Sequence, residues 1–152
     1  MEYSVITKAD QELVWKVFSD WHRWHEFSDI YRDIRWTKGQ PWQTGSRMKI
    51  EIGRPIKTTV DHVIIACSPC KHVAWIDHTM GNTMEQWVLF EKMPEGGTRV
   101  RTWAEFTGLT TVLEGRPMKE LVGDFIRNWY ERFRQACDEL SEREPCCCEQ
   151  LC

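Results

Sequence analysis

Two histidines in this sequence stand directly after carboxylates: His62 follows Asp61, and His78 follows Asp77. Imidazole changes charge near neutral pH, so His62, Asp77 or His78 is suited to general acid–base work. No nucleophile keeps a defined spacing from any of them, which leaves covalent catalysis without support. His22 and His25, with Glu26 beside them, can share one face of a short helix as metal ligands do. They lack the His-Glu-x-x-His arrangement and no spacing fixes a third ligand, so a solvated helix face is the simpler reading. Cys67-Ser68-Pro69-Cys70 has the spacing of a redox pair or half a zinc knuckle. A zinc site at Cys67 and Cys70 would need a second pair of ligands, for which Cys146, Cys147, Cys148 and Cys152 are the candidates. A redox motif would lead into a helix, and none is expected there. A turn that carries two thiols is therefore preferred, with no metal and no cofactor.

The elements that must position these groups begin with the last long segment. From Pro117 to Leu140, apolar side chains recur at Met118, Val122, Phe125, Trp129, Phe133, Ala136 and Leu140. That spacing marks one face of an α-helix. Lys119, Arg127, Glu131 and Arg134 lie opposite. Pro117 suits a first helical turn and Pro145 bars continuation. At ~1.5 Å per residue the helix would run roughly 36 Å, enough to cross a small domain.

Earlier in the chain, Glu2 to Lys8 reads as a strand. Asp10 is placed to cap a short helix carrying Leu13, Val14, Val17 and Phe18, and Ser19 or Asp20 to cap a second with Trp21, Trp24 and Phe27. Six strands then follow on short turns. Met48, Ile50 and Ile52 alternate with charged residues. Met84, Gln86, Val88 and Phe90 form one face of another strand, and Val100, Thr102, Ala104 and Phe106 one face of the last. Turn-linked strands pair antiparallel with their neighbours. The order is strand, two helices, six strands, long helix: an α+β domain in which a twisted sheet covers the apolar stripe of the helix.

Bulk properties narrow the function. The chain has 152 residues, suited to one domain with a full core. A net charge of −3 without a basic cluster gives no electrostatic case for a nucleic-acid partner. No run of about 18 apolar residues marks a transmembrane segment. The start of the chain lacks a signal-peptide pattern, and seven clustered cysteines do not make a secreted disulfide framework, so a cytoplasmic location is expected. Nine tryptophans imply a large aromatic interior, a cavity wall, or both.

Several stretches, in order, resemble one family. They are Leu13-Val14-Trp15-Lys16-Val17-Phe18, Trp24-His25-Glu26-Phe27, Gly45-Ser46-Arg47-Met48, Ser68-Pro69 before Val73-Ala74-Trp75, and Gly97-Thr98-Arg99-Val100. Together with the terminal helix they resemble the START-related (SRPBCC) superfamily, in its polyketide cyclase/dehydrase-like branch. The resemblance runs from Glu2 to Leu140. It implies a helix-grip fold, a seven-stranded antiparallel sheet curled around the C-terminal helix, spanning residues 1–141. Residues 142–152 are then a flexible cysteine-rich tail. It also implies an apolar cavity between sheet and helix that binds or carries a lipid, a polyketide or an aromatic compound. The alternative is a cyclase or dehydratase that uses the same cavity, and a filled interaction domain is a third reading.

Alternation and helical phase nominate the wall of such a cavity. From the strands come Trp36, Met48, Ile50, Trp75, Val88, Phe90 and Ala104, and from the helix Val122, Phe125, Ile126, Trp129 and Phe133, with Trp129 bordering the cavity. Gln86 and Thr102 join them as polar groups on faces otherwise apolar, where each needs a partner.

The tail follows the last periodic residue and has no apolar pattern. Truncation after Arg143 should leave the thermal midpoint nearly unchanged under reducing conditions. A large drop would mean that the tail cysteines hold a structural metal or cross-link.

Overall fold

Residues 1–108, 112–113 and 116–143 are described by a computed structural model. β1 (Glu2–Thr7) leads to Asp10, whose carboxylate accepts the Leu13 N–H at 2.8 Å and starts α1 (Gln11–Ser19). Asp20 then caps a 3-10 turn (Trp21–Arg23) that runs straight into α2 (Trp24–Phe27). Six strands follow: β2 (Tyr31–Lys38), β3 (Arg47–Ile52), β4 (Thr58–Ser68), β5 (His72–Thr79), β6 (Asn82–Lys92) and β7 (Thr98–Gly108). All pair antiparallel in the order β1-β7-β6-β5-β4-β3-β2, the seven-stranded sheet expected from the alternation. β1, the first strand in the chain, reaches the far edge beside β7.

A two-stranded ribbon, β8 (Val112–Leu113) with β9 (Arg116–Pro117), precedes the long helix α3 (Met118–Arg143). This corrects two expectations. Pro117 ends a strand instead of occupying the first helical turn, where its fixed φ serves a strand end equally well. The helix also continues past Leu140, because Ser141-Glu142-Arg143 holds no breaker. The tail from residue 144 lies outside the described residues. Among the described residues, no helix is long and apolar enough to cross a membrane.

α3 lies against β1, α1 and α2. Polar clamps fix its outer edge: Tyr3 donates to Glu131 Oε1 at 2.6 Å, and Thr7 Oγ1 donates to Asp138 Oδ1 at 2.6 Å. Inside, an aromatic cluster is built around Phe18, which is 1% exposed. Its ring meets Phe90 edge-on at 5.2 Å, and Trp24, Trp129 and Phe133 at 5.9 Å. Trp42 closes the cluster from the β2–β3 loop, with its indole donating to Ser19 O at 2.8 Å. That position has φ 63°, a left-handed backbone costly for a bulky residue and offset here by the packing of the indole.

Because Phe18 touches α2, α3 and the sheet at once, Phe18→Ala should cost about 3–5 kcal/mol in a denaturant melt. A loss below about 1 kcal/mol, at the small end for core truncations, would contradict this packing.

Candidate functional site

The space between sheet and α3 is divided along the helix. Toward its C-terminal half, Trp129, Tyr130, Phe133 and Cys137 are buried against the Phe18 cluster and the space is filled. Toward its N-terminal half the side chains stand apart and enclose a cavity of about 650 Å3. Leu121, Val122, Phe125 and Ile126 form its helix wall. Ile50, Val60, Trp75, Met84, Ala104 and Phe106 form its sheet wall. Exposed Arg54 and Lys119 lie at its margin. A second void of about 50 Å3, lined by Trp129 and Tyr130, lies beside it against the filled half.

A buried ionisable constellation interrupts the mainly apolar wall. His62 on β4 and Asp77 on β5 are direct register partners on the inner face. His62 Nδ1 lies 2.7 Å from Asp77 Oδ1, and the indole of Trp75 donates to Asp77 Oδ2 at 3.1 Å. A carboxylate oxygen can only accept, so the tautomer that satisfies the contact carries its proton on Nδ1 and His62 Nδ1–H donates. The imidazole lies over Trp75, with ring centroids 4.8 Å apart, and is 1% exposed. Its Nε2 is fully covered and has no partner among the described residues. Asp77 keeps 12% of its side chain exposed, on the face that lines the cavity. Nearby Tyr31 also lines the cavity; burial, reinforced by the Asp77 charge, pushes its hydroxyl well above the ordinary range.

The expected wall residues separate by position. Ile50, Trp75, Gln86, Ala104, Val122, Phe125 and Ile126 line the cavity, as do His62 and Asp77. Met48, Val88, Phe90, Thr102 and Phe133 point inward but into the filled half, where they are buried. Trp129 belongs with them: it stacks on Phe133 at 5.4 Å, meets Phe27 edge-on at 5.0 Å, and reaches only the small void. Trp36 does not line the cavity and packs against Trp21 and Trp42, with ring centroids 6.0 and 5.3 Å away. Gln86 Nε2 donates to Thr102 Oγ1 at 2.9 Å, and Thr102 Oγ1 donates in turn to Trp87 O at 2.9 Å.

His78 follows Asp77 by one residue, so strand alternation turns it away from the cavity. It is exposed, with Nδ1 3.2 Å from Thr83 Oγ1. Cys67 and Cys70 stay at the β4–β5 turn, and no metal-binding group of three His, Cys, Asp or Glu residues occurs among the described residues. His22 and His25 are exposed, and Glu26 pairs with Arg23 instead. Phe106, inward by strand alternation, also lines the cavity, while Tyr31, Val60, Met84 and Leu121 are wall residues that the nominated set lacked. Met84 and Leu121 carried a usable signal, since each lies on an inward face by period.

A family model described as polyketide cyclase / dehydrase and lipid transport matches residues 1–142. No curated protein sequence matches the chain. Among solved structures, the Zhui aromatase/cyclase from Streptomyces sp. R1128 is similar, with a TM-score of 0.71 at 13% identity, over 99% of this chain and 98% of that one. A START superfamily protein from Mycobacterium smegmatis gives 0.71 at 12% identity, over 92% and 97%. A hypothetical protein from Helicobacter pylori gives 0.74 at 14% identity, over 90% and 86%. At these identities the likeness is one of fold.

Since Trp129 fills core, Trp129→Ala should carry the full penalty of a buried aromatic truncation, about 3–5 kcal/mol. A loss of about 1 kcal/mol or less, measured by denaturant melt, would place its ring on the open cavity instead.

Proposed function

The chain belongs to the polyketide cyclase / dehydrase and lipid transport family, and from that premise we propose that it binds or carries one hydrophobic small molecule, a lipid, a polyketide or an aromatic compound. The ligand occupies the cavity between the sheet and the N-terminal half of α3. The observation that carries this reading is the cavity itself, about 650 Å3 and walled mainly by apolar side chains. Pockets that enclose small organic ligands span about 300–1,000 Å3 and combine such a wall with a few fixed polar groups. Burying an apolar ligand there gains about 25 cal/mol per Å2 removed from water.

A second reading, a cyclase or dehydratase, is favoured by one feature: an ionisable pair, His62 with Asp77, in the wall of that cavity. The cavity would hold a flexible chain in one folded geometry, while Asp77, backed by His62, moved a proton.

Val122 faces the cavity from α3 and is half-buried, so a larger side chain there grows into open space. Val122→Trp should abolish uptake of an environment-sensitive apolar dye that the wild type binds, with the thermal midpoint unchanged or raised. Undiminished dye binding by a folded Val122→Trp protein, or no binding by the wild type, would contradict the proposal.

A further inference from the structure

The Asp77 carboxylate, in the sheet wall, has hydrogen bonds that are fixed and yet leave acceptor capacity open. It sits on β5 among Trp75, Val60 and Met84 and remains partly open to the cavity. Two of its roughly four acceptor positions are occupied, one by His62 Nδ1–H and one by the Trp75 indole. Both partners donate and both are held by packing, so the carboxylate is oriented before anything enters. An ionised carboxylate in a largely apolar wall is costly unless its remaining lone pairs are met. It has nothing to donate.

Resting on the ligand-binding reading above, we infer that the ligand carries a hydroxyl group that donates a hydrogen bond to Asp77. A carboxylate or phosphate headgroup is unsuited to this end of the cavity, because it would face the Asp77 charge. Among the cavity's lining residues the cations are Arg54, paired with Asp29, and Lys119, both exposed, and the α-ammonium of Met1, which is engaged with Ala104 O at 2.9 Å. A hydroxyl can meet the carboxylate without bringing a second full charge out of water, which an ammonium group would do. Trp24, edge-on to the His62 ring at 6.4 Å, and Trp75, tilted over it at 4.8 Å, both line the cavity beside the pair, which fits a hydroxyl borne on an apolar ring. Tyr31, also in the wall, keeps its proton under burial and beside Asp77, so it adds no competing negative charge. His62 acts here as a positioning residue: its Nε2 is covered, and its contribution passes through Nδ1–H to Asp77.

The test is isothermal titration of the wild-type chain with 2-naphthol and with 2-methoxynaphthalene, which share ring and oxygen but differ in the donor. The wild type should prefer 2-naphthol by about tenfold or more, the worth of a hydrogen bond to a charged acceptor. Asp77→Leu should bring the two affinities together while retaining 2-methoxynaphthalene. Asp77→Asn preserves the shape and keeps the test open if the leucine variant does not fold. Its amide oxygen must serve the Trp75 indole, which can only donate, so its N–H2 faces His62 and the charged acceptor is gone. It too should narrow the preference. Equal affinities in the wild type, or an undiminished preference in a folded Asp77 variant, would overturn the inference and leave the cavity reading intact. Tighter binding of 2-(aminomethyl)naphthalene than of 2-naphthol would overturn it in favour of a cationic ligand. Failure of the wild type to take up any of the naphthalenes would overturn the cavity reading and this inference with it.

Discussion

The packing of one aromatic cluster, centred on Phe18, sets the character of the whole interior. An empty cavity forfeits dispersion contacts along its walls, so a domain that keeps one must overpack nothing and fill well elsewhere. Here α1, α2, the β2–β3 loop and the C-terminal half of α3 all converge on Phe18. The Trp129 and Phe133 rings complete the contact from the helix. This wedge holds α3 away from the sheet at one end by the width of several rings. At the other end the side chains of the two walls stand apart, and a cavity remains between them. The hollow half is a geometric consequence of the filled half.

That division also governs where polarity is tolerated. In the filled half polar groups are engaged by the backbone, as with Thr98 donating to Ala9 O at 2.8 Å and Thr102 donating to Trp87 O at 2.9 Å. On the cavity wall, His62, Asp77 and Trp75 form a network that fixes orientation yet leaves acceptor capacity open. A buried network of this kind specifies more than it stabilises, since the desolvation of the carboxylate offsets much of what its hydrogen bonds contribute. Such a group is understandable where a ligand completes it.

Much of the architecture was legible in the residues. The three-and-four spacing after Met118, the alternation in Met84–Phe90 and Val100–Phe106, and the Asp10 cap each specify a local conformation with little competition. Helical phase, however, reports which face a side chain takes and says nothing of position along the axis. Phe125 and Ile126 share a stripe with Trp129 and Phe133, yet only the first two border the cavity. The difference is made by Phe18 and Trp24, whose convergence on one end of α3 no spacing encodes. Trp36 was misplaced for a related reason, because its ring packs on Trp21 and Trp42, which no spacing brings beside it. The β-branched run Thr58–Cys67 offers no polar alternation, so the inward direction of Val60 and His62 was not readable. The pairing of His62 with Asp77 needs the register of β4 on β5, which shifts between Ile64 and Ala66.

The central claim is that one half of the grip is filled and the other hollow. Xenon enters dry apolar cavities and is located directly by its scattering, so crystals of this chain under xenon pressure measure the partition itself. The account predicts xenon bounded by Ile50, Ala104 and Ile126, and none against Phe27, Phe90 or Phe133. A structure with the N-terminal half of α3 collapsed onto the sheet and no xenon between them would contradict it, as would xenon against Phe27, Phe90 or Phe133.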